Sequence, residues 1–150
     1  MAVQRDRPYG NYNYLVDIGT GEVEGPEAGF SEVVLPEASI DVIEYRNGNE
    51  KESSTRKIPG RTHYGNFILK RGVIGSLDLY TWWDQVRNGD PSAYRTVLIK
   101  LQNEDRTAIV LQWKLTRAWP VRYKFSELDA KGKDSLIEML ELAFERMDID

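Results

Sequence analysis

His63 is the only imidazole among 150 residues. That excludes a histidine-rich metal site. A nucleophilic triad around it would have to draw on Ser, Thr and acidic residues that any chain of this length supplies, so His63 reads as a structural or surface residue. The run Gly19-Thr-Gly21-Glu-Val-Glu-Gly25 has Gly-x-Gly-x-x-x-Gly spacing. A phosphate-cradling loop needs Gly-x-Gly-x-x-Gly opening a helix, whereas here Pro26 and Gly29 follow, and Glu22 and Glu24 would repel a phosphate. The run therefore reads as turns. Among the 24 acidic residues there is no Asp-x-Asp-x-Asp-Gly calcium loop and no pattern that singles out a glycosidase pair. Trp82, Trp83 and Tyr80 could stack on a ligand, but at helical spacing they read as a packed face. No residue is assigned a catalytic, cofactor-binding or metal role, and the chain is expected not to be an enzyme.

The elements around these residues point to a scaffold. A content of 41% hydrophobic and 29% charged residues is that of a folded protein, and 150 residues suffice for one domain, 1–150. A formal net charge of −4 gives no bulk attraction to nucleic acid or anionic membrane. Cysteine is absent, which excludes disulfides and thiolate chemistry and fits a reducing compartment. The first ten residues do not look like a signal peptide, and no apolar run approaches the ~20 residues of a membrane span. The chain is expected to be made in the cytoplasm and to leave a cell, if it does, without a cleaved signal.

Strand periodicity dominates. Ile109, Leu111, Trp113, Leu115 and Trp119 share one face of an extended stretch, with Gln112, Lys114 and Thr116 on the other. Pro120 is expected to break the ladder before Val121, Tyr123 and Phe125 resume it. Residues 12–18 alternate, 30–45 form an extended stretch interrupted at Pro36, 64–70 read as a strand with Phe67 and Leu69 on one face, and Val97, Ile99 and Leu101 start another. One helix is predicted over 77–87, with Leu79, Trp82, Trp83 and Val86 as its apolar stripe, Ser76 as N-cap and Asn88-Gly89 as its stop. Locally, 136–147 also reads as helix, through Leu136, Leu140, Ala143, Phe144 and Met147.

Residues 46–61 contain almost nothing apolar and read as a protruding arm. Charge is unevenly spread around it. Residues 46–71 hold seven basic and two acidic residues, whereas 127–150 hold eight acidic and three basic. A basic arm and an acidic tail can pair head to tail between copies, and a heterologous contact that does not close yields filaments.

Four passages together resemble the tail-tube (inner-tube) proteins of contractile phage tails and extracellular contractile injection systems, similar also to the type VI secretion tube protein. They are Tyr12 to Ile18 with Gly29-Phe30-Ser31-Glu32-Val33; Val42 to Gly48 with Arg56 to Arg61; Phe67 to Gly72 with Leu79-Tyr80-Thr81-Trp82-Trp83; and Arg117 to Val121 with Glu138 to Phe144. Their order and spacing cover nearly the whole chain. The resemblance implies a mainly β fold, a two-sheet β-barrel or sandwich with one flanking α-helix (77–87) and a protruding arm (46–61). It also implies that the C-terminal segment is a strand, with Ile137, Met139 and Ala143 on one face.

A family of this kind is structural, with no cofactor. The resemblance implies hexameric rings stacked into a hollow tube that is driven through a target membrane. Its implied partners are further copies of itself, a surrounding sheath protein, baseplate or tube-initiator and cap proteins, and protein cargo in the lumen, with no nucleic acid required for assembly. Assembly is expected in the cytoplasm, in a tail or tail-like particle that can be released. Arg46, Asn47, Lys51, Arg56, Lys57 and Arg61 are the expected inter-ring contacts. The alternatives are a tube-initiator or baseplate tube-like protein, a monomeric β-barrel binding module gripping a ligand with Trp82 and Trp83, and an enzyme built on His63 or a carboxylate pair.

Overall fold

The computed structural model describes residues 1–150. Its strands are β1 (Tyr14–Asp17), β2 (Phe30–Val34), β3 (Ala38–Tyr45), β4 (Arg56–Tyr64), β5 (Phe67–Gly72), β6 (Arg95–Gln102), β7 (Ile109–Phe125), β8 (Ile137–Ala143) and β9 (Arg146–Ile149), with one helix, α1 (Asp78–Arg87). The strands of the body run in the order β1-β6-β7-β8-β5-β2, every neighbouring pair antiparallel, and β9 also pairs with β7. Strands β3 and β4 form a separate two-stranded ribbon.

The 17-residue strand β7 holds the body together. Its first half pairs with β6 and β9, and its second half with β8. Register shifts interrupt its pairing opposite Leu101–Gln102, opposite Arg95–Val97 and at Pro120–Arg122. Each adds a residue to β7, and such bulges bend a strand and increase its twist. Arg117 lies in the second, at φ 55°. The bend folds the sheet on itself, so that Val16, Val97, Ile99 and Leu115 from one half share a core with Phe30, Phe67, Leu69, Leu140 and Leu142 from the other. Burying each such side chain contributes about 1.5–3 kcal/mol. The outermost strands, β1 and β2, do not pair, so the body is a sandwich and not a closed barrel.

Bulges also explain where simple alternation fails. Val110 is buried and Ile109 exposed, and past Arg117 it is Ala118 and Pro120 that face inward. Pro120 does not break the strand: it sits opposite Leu142, and the adjacent bulge accommodates its missing N–H. The C-terminal segment is strand, as the resemblance implies and against its local helical stripe, because it pairs along both β7 and β5. Ile137, Met139 and Ala143 do share a face, but that face is only half-buried, and Glu138, Leu140 and Leu142 point into the core.

Helix α1 buries Leu79 and Trp82 completely and Trp83 and Val86 in part. The Trp82 indole N–H donates to the Ala93 carbonyl at 2.7 Å. Leu77, not Ser76, occupies the N-cap. The Ser76 hydroxyl donates to the Asp78 carboxylate at 3.1 Å and accepts from the Asp78 N–H only at 3.4 Å, while the Asp78 carboxylate accepts from the Leu79 N–H at 2.8 Å. The helix ends at Asn88, and Gly89 follows at φ 75°, a left-handed position that glycine adopts without strain.

Candidate assembly surfaces

The predicted arm is longer than its polar segment. Strands β2 and β5 pair up to Val34 and Ile68, the Gly65 N–H donates to the Glu37 carbonyl at 2.9 Å, and β3 and β4 carry the ladder on from Ala38 and Tyr64. One ribbon is thus rooted in the sandwich and protrudes from it. The eight residues of β3 span about 26 Å at ~3.3 Å per residue. Residues 56–61 are strand, and only 46–55 form the connecting loop. The root is fixed by the Tyr64 ring against Phe144, centroids 5.2 Å apart. Gly60 lies at a bulge in the ribbon, where a Cβ would come within 3.0 Å of the Asp41 Cβ.

Both faces of this ribbon are apolar and open to solvent. Ile43 lies opposite Ile58 beside Tyr45 on one face, and Val42 lies opposite Pro59 on the other, with Ile40 two residues along. Ile40, Val42, Ile43, Tyr45 and Ile58 are all exposed. An isolated two-stranded ribbon is marginal in water, and a flat apolar one is a template for another chain. The sequence reading began the arm at residue 46 and so missed this surface on β3. The signal was there: Val42-Ile43 puts apolar side chains on both faces of a strand with no second layer to cover it.

All six expected contact residues lie on the distal ribbon. Arg46, Asn47 and Lys51 are in its loop, and Arg56, Lys57 and Arg61 on β4. Local bonds shape the loop. Arg46 donates to the Glu52 and Glu50 carbonyls, each at 2.9 Å, Asn47 donates to the Glu50 carboxylate at 3.2 Å, and Arg56 pairs with Glu50 at 3.2 Å. Lys51, Lys57 and Arg61 have no ion-pair partner.

The acidic tail is a poorer counterpart than its composition suggested. Glu138 pairs with Arg71, Glu145 with Arg117 at 3.1 Å, Asp148 with Arg146 at 3.2 Å and Asp150 with the terminal amine at 3.2 Å. Lys70 and Arg71, counted with the basic stretch, pair with Glu32 and with Asp78 and Glu138. Much of the charge asymmetry is therefore neutralised within one chain.

Arg71 was read as part of the exposed basic stretch, yet it is only 1% exposed. Its parity with Phe67 and Leu69 on β5 points it into the core. The guanidinium donates to Glu138 at 2.7 Å, to Asp78 at 2.6 and 3.0 Å and to the Glu27 carbonyl at 2.8 Å, and the Tyr123 hydroxyl donates to Glu138 at 2.7 Å. Burial alone would raise the Asp78 pKa, but the Arg71 bonds and charge outweigh it and hold that carboxyl below its usual range. Burial, followed by the bond to Glu138, raises the Tyr123 phenol. The cluster ties α1 and the 26–28 turn to the sheet. Every polar atom in it is satisfied.

The other candidate chemistries find no site. His63 is exposed on the ribbon, with Asp41 2.8 Å from its Nε2. The Asp17 carboxylate accepts from the Gly19 and Gly21 N–H groups at 2.9 and 3.0 Å, so the glycine run is folded onto its own chain and presents no cradle. No three His, Asp or Glu side chains are grouped closely enough to hold a metal ion. Trp82 is buried in packing and cannot grip a ligand from solvent.

Comparison with known proteins matches residues 10–148 to the family described as T4-like virus tail tube protein gp19. A chain in the cryo-EM structure of the anti-feeding prophage (AFP) baseplate, 6-fold symmetrised, is 26% identical, with a TM-score of 0.81 and 97% of each chain covered. A chain in the cryo-EM structure of an extracellular contractile injection system, the PVC sheath-tube complex in its extended state, is 25% identical, with a TM-score of 0.81 over 95% of this chain and 91% of that one. Hcp1 from Flavobacterium johnsoniae shares the fold, at 18% identity and a TM-score of 0.53 over 91% of this chain and 93% of that one. Among curated proteins there is no significant match.

Proposed function

We propose that this chain, which belongs to the T4-like virus tail tube protein gp19 family, is the inner-tube subunit of a contractile injection system and assembles into hexameric rings stacked around a hollow lumen. The family is one of structural tail-tube proteins, not of enzymes. The observation that carries the proposal is the ribbon. Beyond its sandwich core the chain extends two strands with exposed apolar side chains on both faces and basic residues at the tip. Exposed apolar surface of that kind marks a contact with another protein. Repeated copies supply one at every position.

In this reading residues 1–150 form one tail-tube domain. Arg46, Asn47, Lys51, Arg56, Lys57 and Arg61 contact a neighbouring ring. A sheath protein surrounds the tube, baseplate and cap proteins bound its ends, and the lumen holds protein cargo. Assembly takes place in the cytoplasm, and the finished particle acts outside the producing cell. A tube-like protein of the baseplate is the second reading, favoured by the likeness to a baseplate chain.

Size-exclusion chromatography with negative-stain microscopy of the purified chain tests the proposal. Six-fold rings and stacked tubes are the expected result. A compact monomer at every accessible concentration would overturn it. Rings that stack only on an added tube subunit would favour the baseplate reading.

A further inference from the structure

Two of the seven asparagines precede glycine, Asn47-Gly48 in the arm loop and Asn88-Gly89 at the end of α1. The pairing matters because the backbone nitrogen that follows an asparagine can attack its side-chain amide. Glycine has no Cβ to hinder that approach and leaves the backbone free to swing into it. The other five asparagines precede residues that carry side chains. The fold treats the two Asn-Gly pairs differently. At Asn88-Gly89 the nucleophile is engaged, since the Gly89 N–H donates to the Val86 carbonyl at 3.0 Å. The Asn88 N–H donates to the Asp84 carbonyl at 3.0 Å and its side chain to the Asp84 carboxylate at 3.3 Å, so a ring closed there would unmake the end of the helix. At Asn47-Gly48 both residues are exposed, the Gly48 N–H donates to no atom of the chain, and a Cβ on Gly48 would meet nothing within 4 Å. That nitrogen is free to react.

The Asn47 amide is held ready for it. The Tyr45 hydroxyl donates to Asn47 Oδ1, and Nδ2 donates to the Glu50 carboxylate at 3.2 Å. The Glu50 N–H donates to the Asn47 carbonyl at 3.1 Å and closes a turn over 47–50. Oδ1 is the atom that gains negative charge when a nitrogen adds to Cγ. A donor already placed on such an atom lowers the barrier to acyl chemistry. We propose that Asn47-Gly48 is a site of spontaneous, backbone-mediated deamidation in the free chain, with the Tyr45 hydroxyl as its oxyanion donor.

The Gly48 nitrogen loses its proton to solvent and bonds to Asn47 Cγ. The Cγ–Nδ2 bond then breaks, and Nδ2 takes up a proton from solvent and leaves as ammonia. The cyclic succinimide that remains is opened by water at either carbonyl, which gives aspartate or an isoaspartyl linkage. The net change is amide plus water to carboxylate plus ammonium, with no oxidant or cofactor. The product sets a second carboxylate beside Glu50 where a donor stood. The segment 46–61, with five basic and two acidic residues, gains a third acidic one. The isoaspartyl form also inserts a methylene into the backbone of the turn. The tip of the arm thus changes charge and shape with age. Nothing in this chemistry depends on assembly.

Peptide mapping by mass spectrometry tests this on the purified chain, aged at neutral pH and at a concentration too low for assembly. The amide-to-acid mass gain is followed at every asparagine, and isoaspartyl methyltransferase labels the rearranged product. Asn47 should convert about tenfold faster than Asn88 or more, because the Gly89 N–H must first give up a hydrogen bond worth up to roughly that factor. Gly48→Ala, whose Cβ enters open space, should nearly stop conversion at Asn47. Tyr45→Phe, at a half-exposed position that the core does not need, should slow it several-fold while conversion at Asn88 in the same molecules stays unchanged. Asn88 thereby reports on the fold of each variant. Conversion at Asn47 no faster than at Asn88, or indifferent to Gly48→Ala, would overturn the site. An unchanged or faster rate in Tyr45→Phe would overturn the oxyanion-donor assignment.

Discussion

Replacing Arg71 by Met should destabilise the fold more than any surface change, because it strips the only cation from a buried cluster holding two carboxylates. Glu138 is 2% exposed and the Asp78 side chain 24%. Five hydrogen bonds from the guanidinium to these two groups and to the Glu27 carbonyl vanish at once. Removing one partner of a buried pair costs about 3–5 kcal/mol, a large share of the ~5–15 kcal/mol that holds a typical domain. With a urea m-value of about 2 kcal/mol/M, the midpoint should fall by roughly 2 M, read by tryptophan fluorescence at a concentration too low for assembly. The double variant Arg71→Met/Glu138→Leu should recover part of the loss, since it removes the buried unpaired carboxylate and leaves Asp78, the Tyr123 hydroxyl and the Glu27 carbonyl to be solvated.

The pH dependence supplies a sign. In the wild type the Asp78 pKa is lowered on folding. Its contribution is therefore present above the unfolded carboxylate value and is lost as pH falls through the lower folded value. Without Arg71, burial, the largest influence on Asp78, is opposed only by the bonds from the Leu79 N–H and the Ser76 hydroxyl, and the folded pKa of Asp78 should rise. The Met variant should then regain stability between pH 7 and 5, where the wild type gains none from this site. A cost below about 1 kcal/mol, or a variant that does not recover on acidification, would refute the view of Arg71 as the counter-ion of a buried cluster.

Three further outcomes concern the arm. Val42→Ser with Ile43→Ser should leave the unfolding midpoint of the unassembled chain within about 0.5 kcal/mol of wild type, yet abolish tubes under the microscope; unchanged tubes would show that the apolar faces are not contacts. Lys57→Glu with Arg61→Glu, the pair that no carboxylate of the same chain engages, should shorten tubes while rings persist, at about 0.2–1 kcal/mol for each exposed pair repeated around a ring. High salt should weakly mimic that double variant, since exposed pairs are screened. His63→Ala should leave rings and tubes intact, because the histidine meets only an exposed Asp41; loss of assembly would make the His63–Asp41 pair part of a subunit contact.

Local rules reached the elements whose cause is local. The period-two stretch from 107 to 125, the helical stripe of Leu79, Trp82, Trp83 and Val86 and the Asn88-Gly89 stop all follow from side-chain spacing and backbone preference, and all have counterparts in the fold. The sequence also argued against catalytic sites, since one histidine and a glycine run of the wrong spacing point to none. Its four family-like passages led to the correct fold class and family.

Other features depended on contacts between residues far apart in the chain. The segment 137–143 has good helix formers, but strands on both sides supply a ladder that outweighs propensity. Arg71 belongs to the basic stretch by composition and to the core by position, a difference decided by Asp78 seven residues on and by Glu138 on a strand that pairs with β5. The arm shows the limit most clearly. Ile40, Val42 and Ile43 have the residue types of a buried strand, and residue type records an affinity for burial, not the surface that provides it. Within one chain no such surface reaches them. Sequence determined that these residues favour a covering surface; the tertiary structure, by carrying the ribbon clear of its own core, decided that their own chain does not provide it.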